Sequence, residues 1–150
     1  LSKINKPATL FVIGDDDKNP YNRLLNKLSL NEKVIFLGPR KDVASFMKSS
    51  DILVHPAREE AAGNIVIEAL VSGLPSLVSS EVGYSSEVLR YKSGFVVEGA
   101  FNQEKFNQLL ETLMSNDQLT SVKDSLKPLA NNEYFFSRYS FVADLIEETF

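Results

Sequence analysis

The stretch that decides the fold reads Asp51-Ile-Leu-Val-His-Pro-Ala-Arg-Glu-Glu-Ala-Ala-Gly-Asn-Ile-Val-Ile-Glu68. It begins with a short apolar run that ends at Pro56, which is typical of a buried strand. Apolar residues at helical spacing follow as far as Val71, and Gly73 and Pro75 mark the end of that helix. Parallel α/β proteins hold anionic ligands at such strand-loop-helix junctions, because free N–H groups and the helix dipole point beyond the strand ends.

Two carboxylates, Glu60 and Glu68, bracket Gly63 in this stretch. A diphosphate resting on the N–H groups around Gly63, Asn64 and Ile65 would lie at the start of the helix. Glu68 lies roughly 6 Å further along the axis, and helical side chains lean back toward the N-terminus, so its carboxylate can accept hydrogen bonds from a ribose diol. Glu60 precedes the helix and would meet the hydroxyls of a group on the distal phosphate. The spacing therefore predicts a site for a nucleotide diphosphate sugar.

The motif Glu60-x7-Glu68, followed by Ala69-Leu-Val-Ser-Gly-Leu-Pro75, resembles the donor-site signature of retaining GT-B glycosyltransferases of family 4. Its neighbouring segments are similar to the bacterial lipopolysaccharide core glucosyltransferase I subgroup. These segments are His55-Pro56-Ala57, Glu59-Glu60-Ala61-Ala62-Gly63 and Gly83-Tyr84. The resemblance runs from about Leu10 to about Phe101.

The resemblance implies the donor-binding domain of a retaining enzyme that transfers a hexose, expected to be glucose, from a UDP-sugar. It implies that Glu60, the candidate catalytic residue, faces the donor sugar hydroxyls and that Glu68 holds the ribose. The implied donor-binding residues are Glu60, Gly63, Asn64, Ile65, Val66 and Glu68, with the N–H groups of Asn64, Ile65 and Val66 receiving the diphosphate. Gly14 and Arg40 would line the nucleotide base region. The nucleotide sugar is a substrate, and neither a cofactor nor a metal is expected.

Two parts of the family pattern are missing from the chain. One is an earlier strand and loop with a Gly-Arg…Lys-Gly pattern, which supplies two basic side chains to the departing diphosphate. The other is the N-terminal half that binds the acceptor, a saccharide or a lipid-linked saccharide of the lipopolysaccharide type. We therefore expect residues 1–150 to be a donor-binding domain truncated at its N-terminal edge, and to be inactive in transfer when isolated.

The composition agrees with one soluble α/β domain. The 150 residues are 43% hydrophobic and 24% charged, and the net charge of -4 gives no electrostatic case for nucleic acid. The absence of cysteine excludes disulfides and thiolate chemistry. No apolar run approaches the roughly 18 residues of a membrane helix. We expect a cytoplasmic location, with peripheral attachment to the inner membrane as an alternative for the longer enzyme.

Short β-rich runs alternate with helical patterns up to Val97, which predicts a Rossmann-like, doubly wound parallel sheet followed by C-terminal helices. The predicted strands are Thr9–Ile13, Lys33–Leu37, Ile52–His55, Ser76–Ser79 and Phe95–Val97. The predicted helices are Tyr21–Ser29 (with Leu24, Leu25 and Leu28 inward), Val43–Ser49 with Asp42 as N-cap or first-turn acid, the motif helix, Ser85–Tyr91, one from Asn102, one within Leu119–Ala130 and one over Tyr139–Glu148. Exposed C-terminal aromatic residues, Tyr134, Phe135, Phe136, Phe141 and Phe150, make dimerisation of the fragment an open alternative.

Other interpretations of the sequence stay open. A non-catalytic, flavodoxin-like signalling or interaction module receives slight support from Asp15-Asp16-Asp17 after the first strand, although a solvated turn explains these acids better than a metal site does. A sugar-nucleotide epimerase domain is the other alternative, and the Gly-Leu-Pro and His-Pro-Ala context favours transfer. Under either alternative Glu68 would be a solvated helix acid and Glu60 a solvated loop acid. The sole histidine, His55, is expected to be structural or to line a pocket.

Overall fold

A computed structural model describes residues 1–15 and 18–129 of the chain. It divides the chain into two compact units, Leu1–Ser45 and Phe46–Phe150. The predicted helix Tyr139–Glu148 and the C-terminal aromatic residues lie outside the described residues, as do Asp16 and Asp17. Within the described part, no helix is both long enough and apolar enough to cross a lipid bilayer.

The first unit is built on two parallel strands, β1 (Leu10–Ile13) and β2 (Val34–Gly38). A 3-10 turn, Asn19–Tyr21, leads into the short helix α1 (Asn22–Lys27) between them. The buried core of this unit consists of three aliphatic side chains, those of Leu25, Leu30 and Val34. The next helix, α2 (Val43–Ser49), has the predicted bounds.

The prediction for α1 is partly wrong. The helix ends at Lys27, because Ser29 turns the chain with a φ of 53°. Of the three leucines expected to point inward only Leu25 is buried, whereas the side chains of Leu24 and Leu28 are 52% and 37% exposed. The reason is that this short helix buries a single position, and Leu30, whose N–H donates to the Leu25 carbonyl, provides the neighbouring core side chain.

The second unit contains a three-stranded parallel sheet in the order β3-β4-β5. The strands are β3 (Leu53–His55), β4 (Ser76–Ser79) and β5 (Gly94–Val97), each within one residue of its predicted bounds. Helix α3 (Asn64–Val71) connects β3 to β4, and α4 (Ser85–Arg90) connects β4 to β5. Every residue of the central strand β4 is buried, as expected for a parallel strand covered on both faces. The prediction of parallel strands joined by helices is confirmed, with the five strands arranged as two sheets.

Helix α3 contributes to both hydrophobic clusters of this unit. On one side Leu70 and Ile67 pack with Leu77 of the sheet and with side chains from α5 (Gln103–Leu113) and α6 (Asn116–Leu126). On the other side Val66 packs with three buried valines, Val78, Val82 and Val88. The alternation of Leu77 and Val78 between the two clusters follows the period of two of a β-strand. The face of α3 that lies outside these clusters is exposed and carries Asn64 and Glu68.

The two C-terminal helices of the described part also have clear local origins. Asn102 caps α5, since its side-chain oxygen accepts the N–H of Lys105 at 2.9 Å. Helix α6 begins at Asn116, three residues earlier than the predicted range, and ends at Leu126, before Pro128. Each helix buries an apolar stripe against the sheet, which includes Phe106 of α5 and Leu126 of α6.

Candidate functional site

The candidate site is built on the loop that joins β3 to α3, residues 56–63, which we call the motif loop. This loop runs beside residues 80–84, which follow β4, and an isolated parallel bridge links Glu60 to Val82. The Glu60 N–H donates to the Glu81 carbonyl at 3.2 Å, and the Gly83 N–H donates to the Glu60 carbonyl at 3.0 Å. The N–H and the carbonyl of Glu60 are therefore both held by the segment that follows β4, at the carboxyl ends of the strands.

Two glycines permit this close approach. Gly63 has a φ of 73°, and a Cβ atom there would lie 2.3 Å from Cγ1 of Val82. A Cβ atom on Gly83 would lie 2.1 Å from the carbonyl oxygen of Ala61. No L side chain fits such contacts without displacing the backbone. Packing between the two loops thus gives Gly63 a structural reason that is independent of any phosphate.

Side chains fasten the motif loop to the sheet at two further points. The hydroxyl of Ser79, at the end of the central strand, donates to the carbonyl of Ala57. The imidazole Nε2 of His55 contacts Oε2 of Glu60, and both side chains are half-buried. His55 is thus a partner of the predicted catalytic carboxylate, a relation that the sequence analysis did not predict. The five-residue separation of the two across a proline was the only signal in the sequence.

The tip of α3 offers backbone donors. Gly63 precedes the helix in a left-handed conformation and makes no side-chain cap. The first N–H groups of a helix have no acceptor within the helix, and among the described residues no hydrogen bond is recorded from those of Asn64 and Ile65. The N–H of Val66 donates to the Gly63 carbonyl at 2.9 Å, and the Val66 side chain is fully buried. The donors open at this tip are therefore those of Asn64 and Ile65, while Val66 mainly supports the turn.

Glu68 lies one turn further along α3 than Asn64, on the same exposed face. Its neighbours Val66, Ile67, Ala69 and Leu70 turn inward, while Glu68 turns outward. Although its side chain is exposed, partial burial by the surrounding protein raises the pKa of the Glu68 carboxyl above its ordinary value. Part of the carboxylate's hydration is lost while the residue as a whole stays accessible.

The two residues predicted for the base region belong to the first unit. Gly14 follows β1, and its N–H donates to the Gly38 carbonyl at 3.2 Å. Arg40 forms two hydrogen bonds of 2.8 Å with the carboxylate of Asp42. These hydrogen bonds lower the pKa of the Asp42 carboxyl below its ordinary value. The side chains of Arg40 and Asp42 are exposed. A contact of Gly14 or Arg40 with a base stays a prediction.

A cavity of about 350 Å³ opens beside the motif loop and is lined by four residues, Arg58, Glu81, Ala100 and Phe101. They come from the segments that follow β3, β4 and β5, so the cavity lies at the carboxyl edge of the sheet, where α/β proteins bind ligands. Among the described residues Arg58 forms no recorded ion pair. No pattern in the sequence distinguishes Arg58, because only the folded sheet brings these three strand ends together.

These features define the class of the protein: a Rossmann-like α/β protein with its candidate site at the carboxyl edge of parallel strands. The chain belongs to the family of glycosyl transferases group 1, whose family model matches residues 1–131. The family membership predicted from the sequence motif is therefore confirmed.

Individual relatives support this assignment. The chain is 32% identical over 138 residues to the lipopolysaccharide glucosyltransferase WaaG of Escherichia coli strain K12, which covers 91% of this chain and 37% of WaaG. It is 31% identical over 97 residues to the Vi polysaccharide biosynthesis protein VipC/TviE of Salmonella typhi, covering 63% of this chain and 17% of that protein.

Solved structures show the same fold. The crystal structure of WaaG matches with a TM-score of 0.82 and 32% identity over 92% of this chain and 38% of the WaaG chain. The structure of Anabaena HepE in complex with UDP-glucose matches with a TM-score of 0.75 over 98% of this chain and 43% of HepE. At 19% identity HepE shows the fold alone. The GT-B type of fold is therefore confirmed, and the chain spans less than half the length of each of these relatives.

Proposed function

We propose that residues 1–150 form the donor-binding domain of a retaining glycosyltransferase that transfers a hexose, glucose in our expectation, from UDP. The observation that carries the proposal is the tip of α3, where the N–H groups of Asn64 and Ile65 lie between two carboxylates of the family motif. The family assignment favours transfer over a signalling module or an epimerase. The names of relatives point the same way, since WaaG is a glucosyltransferase and HepE is seen with UDP-glucose.

The proposed roles follow from the charges at the helix tip. The diphosphate accepts hydrogen bonds from Asn64 and Ile65, and the positive end of the α3 dipole favours its negative charge. Glu68, on the same face one turn along, accepts hydrogen bonds from the ribose hydroxyls. Hydroxyl donors would replace part of the hydration that the partly buried Glu68 carboxylate has lost.

Glu60 is proposed to bind hydroxyls of the transferred hexose. Its backbone is held by the Glu81 and Gly83 segment, and its side chain is held at His55. We assign it to orientation of the sugar rather than to nucleophilic attack. Orientation and stabilisation of the departing diphosphate are the two means by which this domain would accelerate transfer.

The rest of the catalytic apparatus is proposed to lie outside residues 1–150. Basic side chains for the diphosphate would come from an earlier strand and loop of this domain. The binding site for a saccharide or lipopolysaccharide-type acceptor would come from an N-terminal domain, so the isolated chain would bind donor without transferring it. We further propose that the enzyme works in the cytoplasm or at the inner face of the membrane. A dimer through the C-terminal aromatic residues stays a prediction.

Ligand-induced stabilisation tests the proposal. UDP, UDP-glucose, GDP-mannose and ADP-glucose are added to the wild type and to Glu68→Gln, with Glu104→Gln, an exposed acid in the first turn of α5, as the matched control. A ligand that binds only the folded state stabilises it by about 2.7 kcal/mol at a hundredfold excess over Kd. We expect the uridine ligands to raise the unfolding temperature of the wild type and of Glu104→Gln.

The expected loss in Glu68→Gln is about 1.5–3 kcal/mol of binding free energy, because a charged acceptor of two hydroxyls becomes a neutral amide. A wild type that responds to none of the four nucleotides would contradict the donor-binding proposal. Equal responses of Glu68→Gln and Glu104→Gln would remove Glu68 from the site.

A further inference from the structure

We propose that His55 is a positioning residue, which holds the Glu60 carboxylate in the orientation that receives the hexose of the donor. The inference rests on the proposed function and adds to it the residue that fixes sugar recognition. It is carried by the contact between His55 Nε2 and Glu60 Oε2.

The imidazole is attached to a rigid support. His55 is the last residue of β3, and its Cα is paired in parallel register with Val78 of the fully buried strand β4. Pro56 follows it directly, and the motif loop beyond is tied to the end of β4 through Ser79 and Ala57. An imidazole at this position has little freedom to move relative to the sheet.

Glu60 is held both at its backbone and at its carboxylate. The Glu60 backbone is fixed by hydrogen bonds with Glu81 and Gly83, and its Oε2 is fixed by His55. The side chains of His55 and Glu60 are 26% and 34% exposed, so the contact is partly shielded from water. Among the described residues no partner is recorded for the second oxygen, Oε1, which remains accessible to a hydroxyl donor.

This arrangement has a specific energetic consequence. A free glutamate side chain loses rotamer freedom when it binds a ligand, and that loss weakens binding. Glu60 has already lost this freedom to His55 before any donor arrives. The imidazole therefore strengthens binding of the hexose, whereas the nucleotide and its diphosphate, which meet the α3 tip, are indifferent to it. A merely structural histidine would affect both parts of the donor alike.

Calorimetric titration with UDP and with UDP-glucose separates the two cases. The variants are His55→Leu, which removes the contact, and His55→Gln, whose side-chain amide reaches the same place and donates a hydrogen bond. Glu59→Gln, at the exposed acid next to Glu60, is the matched control. In His55→Leu we expect the affinity for UDP-glucose to fall about tenfold, because the freed Glu60 side chain must then be ordered on binding, and that for UDP to stay within twofold.

The affinities of His55→Gln for both ligands should lie within about threefold of the wild-type affinities. Those of Glu59→Gln should equal the wild-type affinities. Equal losses for UDP and UDP-glucose in His55→Leu would overturn the inference, as would no loss for either ligand. If His55→Leu does not fold, His55→Asn replaces it, because its amide is one methylene too short to reach Glu60. A shortfall for UDP-glucose in His55→Asn relative to His55→Gln then supports the inference, and equal affinities overturn it.

A second measurement detects the contact without any ligand. His55 is the only histidine in the sequence, so its imidazole ¹⁵N resonances are assigned without ambiguity. Glu60→Gln should change the Nε2 resonance and the tautomer balance of the ring, and Glu59→Gln should leave both unchanged. An unchanged Nε2 resonance in Glu60→Gln overturns the positioning role. If the contact is detected but the wild type binds neither UDP nor UDP-glucose, the proposed function and the sugar-binding role fail together, while the His55–Glu60 contact itself stands.

Discussion

Substitution of Gly63 by alanine should destabilise the protein far more than the same change at Gly73, although both glycines flank α3. The two residues have nearly the same backbone conformation, with φ values of 73° and 71°. A left-handed conformation costs an L residue about 1–2 kcal/mol, and this cost is common to both variants. A Cβ atom at Gly73 would meet nothing within 4 Å, whereas one at Gly63 would lie 2.3 Å from Val82 Cγ1.

The extra cost at Gly63 is that of overpacking a filled core, about 1–3 kcal/mol. The total is about 2–5 kcal/mol for Gly63→Ala and about 1–2 kcal/mol for Gly73→Ala. Urea denaturation followed by circular dichroism measures both, with the change in free energy obtained from the midpoint at a constant slope. Binding of UDP should also weaken in Gly63→Ala, because the clash displaces the tip of α3.

A double-mutant cycle with Val82→Ala tests the assigned cause. This change removes Cγ1, the methyl group of Val82 that a new Cβ would meet at 2.3 Å, so the cost of Gly63→Ala in the Val82→Ala background should fall to that of Gly73→Ala. Equal losses of unfolding free energy in Gly63→Ala and Gly73→Ala would show that the contact with Val82 is not the cause. An undiminished loss for Gly63→Ala when Val82 is alanine would show the same.

Two further predictions follow from the same region. Because burial raises the folded-state pKa of Glu68, the stability from its protonated form is fully present below the ordinary glutamate pKa and is lost as pH rises through the raised value. Urea titrations across that window should show that the wild type loses stability relative to Glu68→Gln as the pH rises, and the absence of this relative loss would contradict the assignment. Ser79→Ala should cost about 1–3 kcal/mol by leaving the Ala57 carbonyl unpaired, and calorimetry should show weaker binding of UDP-glucose. Ser76→Ala, equally buried but bonded to the Leu74 carbonyl, should reduce stability alone, and equal binding losses in both serine variants would argue against the tether.

Elements with strong local signals were predicted accurately. The strand Ser76–Ser79 and the helix Val43–Ser49 have the predicted bounds, because a short apolar run between glycine or proline signals and a helical pattern with clear ends are local properties. The failure at Leu24 and Leu28 has a different origin. Helical spacing shows which residues share a face, but how much of that face is covered depends on elements distant in the sequence.

The candidate site divides in the same way. The spacing of Glu60 and Glu68 around a helix start is local. Together with the strand before it and the Gly-Leu-Pro after it, this spacing was sufficient to identify the family. The backbone hydrogen bonds of Glu60 are not local, because they form where the motif loop meets the segment after β4, about 20 residues later. Neither the imidazole partner of Glu60 nor the cavity beside Arg58 has a periodic pattern that a sequence could display.

The sequence alone determined the order and type of the strands and helices, the α3 tip as the candidate site, and membership of a glycosyltransferase family. Turn residues, apolar periodicity and motif spacing act within a few residues, so these properties are written along the chain. Only the tertiary structure decided that Gly63 must lack a side chain beside Val82, that Glu68 turns outward, and that His55 holds Glu60. Each of these depends on how the helix and the loops pack on the sheet, which no periodic pattern along the chain displays.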